Sequence, residues 1–147
     1  MSEKKRISLK NQIKDNAIAL ISIFIAITSL SYNTWRNELT EDNRNQRYAA
    51  FEILLKINEL QQVVFYNHYE KDLQHKGNPR LGWTYVLTIQ DLAMVLPDSS
   101  VQSVMKLKTT WDQYWSTLHE DQASKLAIES GIDGVRQEIL SLLSALQ

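Results

Sequence analysis

The stretch "NAIALISIFIAITSLSYNTW", Asn16–Trp35, is twenty residues long and carries no charge. Its densest part, "AIALISIFIAITSL" (Ala17–Leu30), spans only roughly 21 Å as a helix, short for a hydrocarbon core of about 30 Å. The whole uncharged run reaches roughly 30 Å at the same rise. Ser22, Thr28 and Ser29 lie inside it, and their hydroxyls can bond back to helix carbonyls, so lipid tolerates them. Lys10 and Lys14 flank the near end and can snorkel. Tyr32 and Trp35 stand at the far end, where amphipathic rings favour the headgroup region, followed by Arg36. Length and flanks together predict a single transmembrane crossing with Lys10, Lys14, Tyr32, Trp35 and Arg36 at its interfaces.

Two other readings compete. A basic leader, an apolar stretch and the small-x-small triplet Ser29-Leu30-Ser31 resemble a cleavable secretory signal. Against it, the leader is long and contains an acid, and the helical pattern runs past the triplet without a turn. A buried core helix is the third reading, but this segment is apolar on all faces, which a small domain rarely covers. Five Lys/Arg precede the segment, and Arg36, Arg44 and Arg47 follow it closely. Flanking positive charge therefore predicts a cytoplasmic N-terminus and an external body; in a bacterial inner membrane this is a periplasmic body.

Outward from that segment, charge divides unevenly. Residues 1–15 hold five Lys/Arg and two acids, and residues 36–147 hold eleven Lys/Arg and fifteen acids. An acidic body argues against a nucleic-acid partner, which needs a positive face. There is no cysteine. Disulfides, thiolate metal sites and cysteine nucleophiles are excluded together. The first glycine is Gly77 and the first proline Pro79. A run this long without helix breakers predicts one continuous helix from Lys14 to Tyr69.

Four regions follow: a basic tip at 1–15, a transmembrane helix at 16–35, a polar helical stalk at 36–47 and a helical bundle at 48–147. The stalk, "RNELTEDNRNQR", is rich in charge and reads as a solvated face, with a partner-docking stripe as the alternative. In the bundle, Ala50, Ile53, Ile57, Leu60 and Val64 repeat at helical spacing, and Phe51, Leu54 and Phe65 are read as widening that stripe. Asn78-Pro79 predicts a cap and first turn for a helix over Pro79–Leu96, with one seam at Tyr85, Ile89, Leu92 and Leu96 and another at Trp83, Val86, Leu87 and Met94. Asp98 or Ser99 is expected to cap a third helix over about 99–119, seamed by Val101, Val104, Trp111, Trp115 and Leu118. A fourth, Asp121–Leu146, carries Ile128, Ile132, Val135, Ile139, Leu142 and Leu146; Gly131 and Gly134 within it mark a kink, a break or a close contact. No segment alternates at period two for long. The fold class is all-α: an N-terminal transmembrane helix continues into a long amphipathic helix, packed with three further helices as an antiparallel bundle.

Chemistry-bearing groups are few. His68, Glu70, Asp72 and His75 have metal-ligand chemistry but no ligand spacing, and read as a polar loop, so no metal and no cofactor is expected. His119 reads as a helix-terminal histidine. "WDQYW", Trp111–Trp115, and the other body rings read mainly as core. Tyr66, Tyr69, Trp83 and Tyr114 are the candidates for a ligand or partner surface. No nucleophile elbow, glycine-rich phosphate loop or HExxH pair is present, so an enzyme is not expected.

The residues "YNTWRNE" (32–38), "NRNQR" (43–47), "FEILLKINELQQVV" (51–64), "HY" (68–69) and "GNPRLGW" (77–83) resemble a group of short bacterial proteins. The group combines one N-terminal membrane helix with a helical body. The likeness spans residues 30–97, implies a single-pass membrane protein and transfers no activity or site residues. The expectation is a membrane-anchored scaffold or interaction protein whose partners are the bilayer and a membrane or periplasmic protein or a second copy of itself. A periplasmic ligand-sensing or ligand-binding bundle is the alternative; a metal-dependent enzyme is the remote one.

Overall fold

The computed structural model describes Lys14 and residues 16–146. The described residues form four helices: α1 (Ala17–His68), α2 (Pro79–Ala93), α3 (Asp98–Tyr114) and α4 (Gln122–Ala145). The chain divides into two compact units, Met1–Asp42 and Asn43–Gln147. The absence of glycine and proline before residue 77 has its expected consequence, since α1 is a single 52-residue element.

In the first unit α1 exposes its apolar side chains on every side. Ile18, Leu20, Ile21, Ile23, Phe24, Ile25, Ile27 and Leu30 are all half or more exposed. Ser22 Oγ donates to the Ile18 carbonyl and Thr28 Oγ1 to the Phe24 carbonyl, both at 2.8 Å. These hydroxyls need no outside partner, as an apolar surrounding requires.

In the second unit the four helices run up, down, up and down. As α1 advances from Arg47 through Asn58 to Gln61, its partners on α4 and just beyond retreat from Leu146 through Arg136 to Glu129. Ser100 bonds Glu138 and Thr117 bonds Ser124, so α3 and α4 are also antiparallel. Ile53, Ile57, Leu60, Val64, Ile89, Leu107, Trp111, Leu118, Ile128, Ile132 and Ile139 are fully buried between them. All-α architecture and the antiparallel bundle thus match the sequence reading.

Local chemistry sets the ends. Asn78 Oδ1 accepts from the Arg80 N–H at 2.9 Å and Pro79 begins α2. Asp121 receives the Ser124 and Ala123 N–H groups and the Ser124 hydroxyl, and these bonds, the hydroxyl's first, lower its pKa. The expected side-chain cap of α3 is corrected: Asp98 is already helical, and Pro97 precedes it without a side-chain cap bond. Asp98 instead lies in the first turn, where its charge meets the positive end of the helix. The expected extent of α3 to 119 is also corrected. The helix stops at Tyr114, and residues 115–120 form turns that carry the chain into the Asp121 cap.

Glycine is required where backbones or rings crowd. A Cβ on Gly77 would lie 2.1 Å from the Asp72 carbonyl oxygen and 2.5 Å from the Asn67 nitrogen. A Cβ on Gly82 would lie 2.1 Å from Trp111 Cζ2, so α2 approaches α3 closely enough to bury that indole. Gly131 and Gly134 neither break α4 nor end it. A Cβ at Gly131 would come within 3.1 Å of Leu107 Cδ1, which is the close-contact reading, whereas at Gly134 it would meet nothing within 4 Å.

Candidate functional site: the outer face of the first helix

Residues Ala50, Ile53, Ile57, Leu60 and Val64 are buried, as their spacing predicts. Phe51 and Phe65 are not. Read as part of the same stripe, they stand 59 % and 49 % exposed. The reason is angular: a step of two residues turns an α-helix by about 200°, so Phe51 points almost opposite to Ile53.

These rings belong to a second repeat. Between Tyr48 and Tyr69 the exposed residues are Tyr48, Phe51, Leu55, Asn58, Gln62, Phe65 and Tyr69. Their spacing alternates three and four throughout, the heptad a and d positions of a helix–helix seam. Five are large apolar or aromatic side chains, two are amides and none is charged. A solvent-facing stripe normally carries charge. On α3, by contrast, the exposed residues include Asp98, Lys106 and Asp112.

The stripe is held firmly from behind. Phe65 meets Tyr66 edge-on at 5.7 Å and Tyr69 at 5.3 Å. Lys125 Nζ lies 5.3 Å from the centre of the Tyr69 ring and 2.8 Å from Glu129, and these contacts, the Glu129 bond first, raise its pKa. Arg136 donates to Asn58 Oδ1 at 3.3 Å. Lys56, bonded to Glu59 at 2.7 Å, leans over Tyr85 on the α2 side.

The sequence-named candidates fall in different places. Tyr69 ends the outer stripe. Tyr66 is half-buried beside it, with Lys76 Nζ 5.1 Å from its ring centre. Trp83 and Tyr114 are half-buried and pack against the core from α2 and α3. At the proposed membrane interface, Tyr32 and Trp35 are exposed with ring centres 6.0 Å apart, and Lys14 and Arg36 are exposed. Lys10 lies outside the described residues.

The polar loop after α1 is organised by its own backbone. Asp72 accepts the His75, Gln74 and Gly77 N–H groups and the His75 Nδ1, which together, the His75 N–H first, lower its pKa to about 2. His68 Nδ1 lies 2.7 Å from the Leu118 carbonyl oxygen, and Lys71 reaches the His119 carbonyl. Among the described residues no group of three or more His, Asp or Glu is gathered for a metal. A shallow cleft of about 500 Å³ lies beside this loop, lined by Leu73, Gln74, Asn78, Arg80, Trp115 and His119.

Comparison with protein-family models, curated proteins and solved structures returned no match. The outer stripe escaped the sequence reading although its signal was present. Two three-four repeats are interleaved on α1, and apolar content alone merged them.

Proposed function

We propose that this chain is a membrane-anchored helical interaction protein without catalytic activity. Its N-terminus lies in the cytoplasm of a bacterial cell and its body in the periplasm, with α1 retained as a single-pass anchor. One observation carries the reading: the helix whose first half is apolar all round presents, within the body, an uncharged stripe fit for another helix. Among the described residues, α1 is the one helix long and apolar enough to cross a bilayer, and none of its most apolar stretch is buried. An apolar all-round helix left uncovered by its own protein is supported by lipid.

The test is fractionation with protease access on chains tagged at either end. Retention of full-length chain in the membrane, with only the C-terminal tag cleaved from the periplasmic side, is the expected result. A shortened chain in the soluble periplasm would show that the segment is a signal peptide. The cleft beside Arg80, Trp115 and His119 favours ligand binding as a second reading. A metabolite that raises the unfolding temperature of the chain, and does so less after Arg80→Ala, would support it.

A further inference from the structure

We infer that the outer stripe of α1 is a self-pairing seam on which a second copy of this chain docks, parallel and in register. The inference rests on the anchored reading for its geometry, since two copies held in one bilayer run from anchor to body in the same direction.

With Tyr48, Leu55, Gln62 and Tyr69 as a positions and Phe51, Asn58 and Phe65 as d positions, the buried residues Ala49, Ala50, Ile53, Ile57, Leu60, Val63, Val64 and Asn67 all fall at b, c and f. The helix thus turns one side to its own bundle and the opposite side outward. A sustained seven-residue repeat over this length fits a left-handed crossing of about 20°. In register, every seam residue faces its own copy. Asn58 meets Asn58 and Gln62 meets Gln62; an amide carries two donors and a two-lone-pair acceptor, so Gln62 pairs with its copy and Asn58, whose Oδ1 already accepts from Arg136, keeps one lone pair and its donors for its own. A polar residue at a single a position, here Gln62, fixes register.

Charge at the seam edges favours the parallel arrangement. Arg47 occupies a g position and Glu52 the e position five residues on, so each copy's Arg47, one of whose donors goes to its own Leu146 carbonyl, lies across from the second copy's Glu52. An antiparallel pair would instead set the e positions Glu52 and Glu59 against like charges.

The area is sufficient for a tethered pair. The five large side chains are between 49 % and 67 % exposed. Taking about 200 Å² for each such side chain, they offer roughly 570 Å² per copy, against about 800 Å² per partner in a standard stable interface. The amides and the edge residues add to this, and confinement to one membrane raises the effective concentration.

The chain has no cysteine, which makes the test direct. Single replacements Leu55→Cys, Asn58→Cys and Gln62→Cys on the seam, and Met94→Cys just past α2, Gln102→Cys on α3 and Asp133→Cys on α4, are made in the full chain. Each is oxidised mildly in native membranes and separated without reductant. Disulfide dimers several-fold more abundant at 55, 58 and 62 than at 94, 102 and 133 are expected. Leu55→Asp introduced beside Asn58→Cys should abolish the 58 cross-link while helix content by circular dichroism stays unchanged. Cross-linking that is equal or greater at 94, 102 or 133 overturns the seam. So does a chain that sediments with membranes but cross-links nowhere. Seam cysteines shielded from a water-soluble maleimide without forming dimers would mean that another protein or the bilayer covers the face, which also overturns self-pairing. Seam cross-links in a chain that does not sediment with membranes would uphold the pairing and remove the anchor.

Discussion

The two halves of α1 both expose large apolar side chains, yet they do so differently. From Ile18 to Leu30 exposure runs right round the helix. From Tyr48 to Tyr69 it is confined to a single stripe, and the opposite stripe is buried. A cylinder of apolar surface matches a solvent with no preferred direction, which is lipid. Two opposed stripes match two packed neighbours. One is the chain's own bundle; the other is the second copy inferred above. The same secondary structure therefore presents two kinds of surface, and the angular distribution of side chains distinguishes them.

The largest effect should come from the inner stripe. Ile57 is fully buried, so Ile57→Ala should destabilise the body by about 2–5 kcal/mol, measured by denaturant unfolding of the detergent-solubilised chain under dissociating conditions. Leu55→Ala, two residues away on the outer stripe, should cost far less in that measurement. Equal losses would erase the distinction between the faces. Next comes the half that is apolar all round. Phe24→Arg should cost about 2.5–3.5 kcal/mol of membrane insertion and shift chain to the soluble fraction, with no change in body unfolding. Unchanged retention would argue that residues 17–35 are not held by lipid. Gly82→Ala should destabilise by about 1–3 kcal/mol, because a methyl there overlaps the buried Trp111 ring. Quenching or shift of tryptophan fluorescence checks that the indole moved.

The smallest effect is in acid. Asp72 is held at a pKa of about 2, below its ordinary 3.8, so its contribution is present above about pH 4 and is lost as the pH falls toward 2. Asp72→Asn should therefore shallow the acid limb of the stability profile between those values and leave that limb's course above it unchanged. An acid limb that is unaltered would place the loop's organisation elsewhere.

Much of this was legible along the chain. The missing breakers before Gly77 foretold α1, Asn78-Pro79 foretold the start of α2, and spaced apolar residues foretold the buried faces of α1 and α4. Capping of α3 by Asp98 or Ser99 was misread because either residue can cap and Pro can occupy the position before the first turn. Of the second seam read on α2, Val86 is buried and Trp83 packs against the core, but Leu87 and Met94 are 45 % and 69 % exposed. Hydrophobicity states that a side chain can be buried, and says nothing of whether a neighbour is available to bury it.

The sequence by itself determined the helices, their approximate ends and the uncharged segment of membrane-spanning length, because capping, periodicity and backbone breakers act over a few residues. Only the tertiary structure decided which of the two interleaved repeats on α1 faces inward. That choice depends on α2, α3 and α4 supplying the rest of the one buried cluster that holds Ile53, Ile57 and Leu60, which leaves Phe51, Leu55 and Phe65 outside.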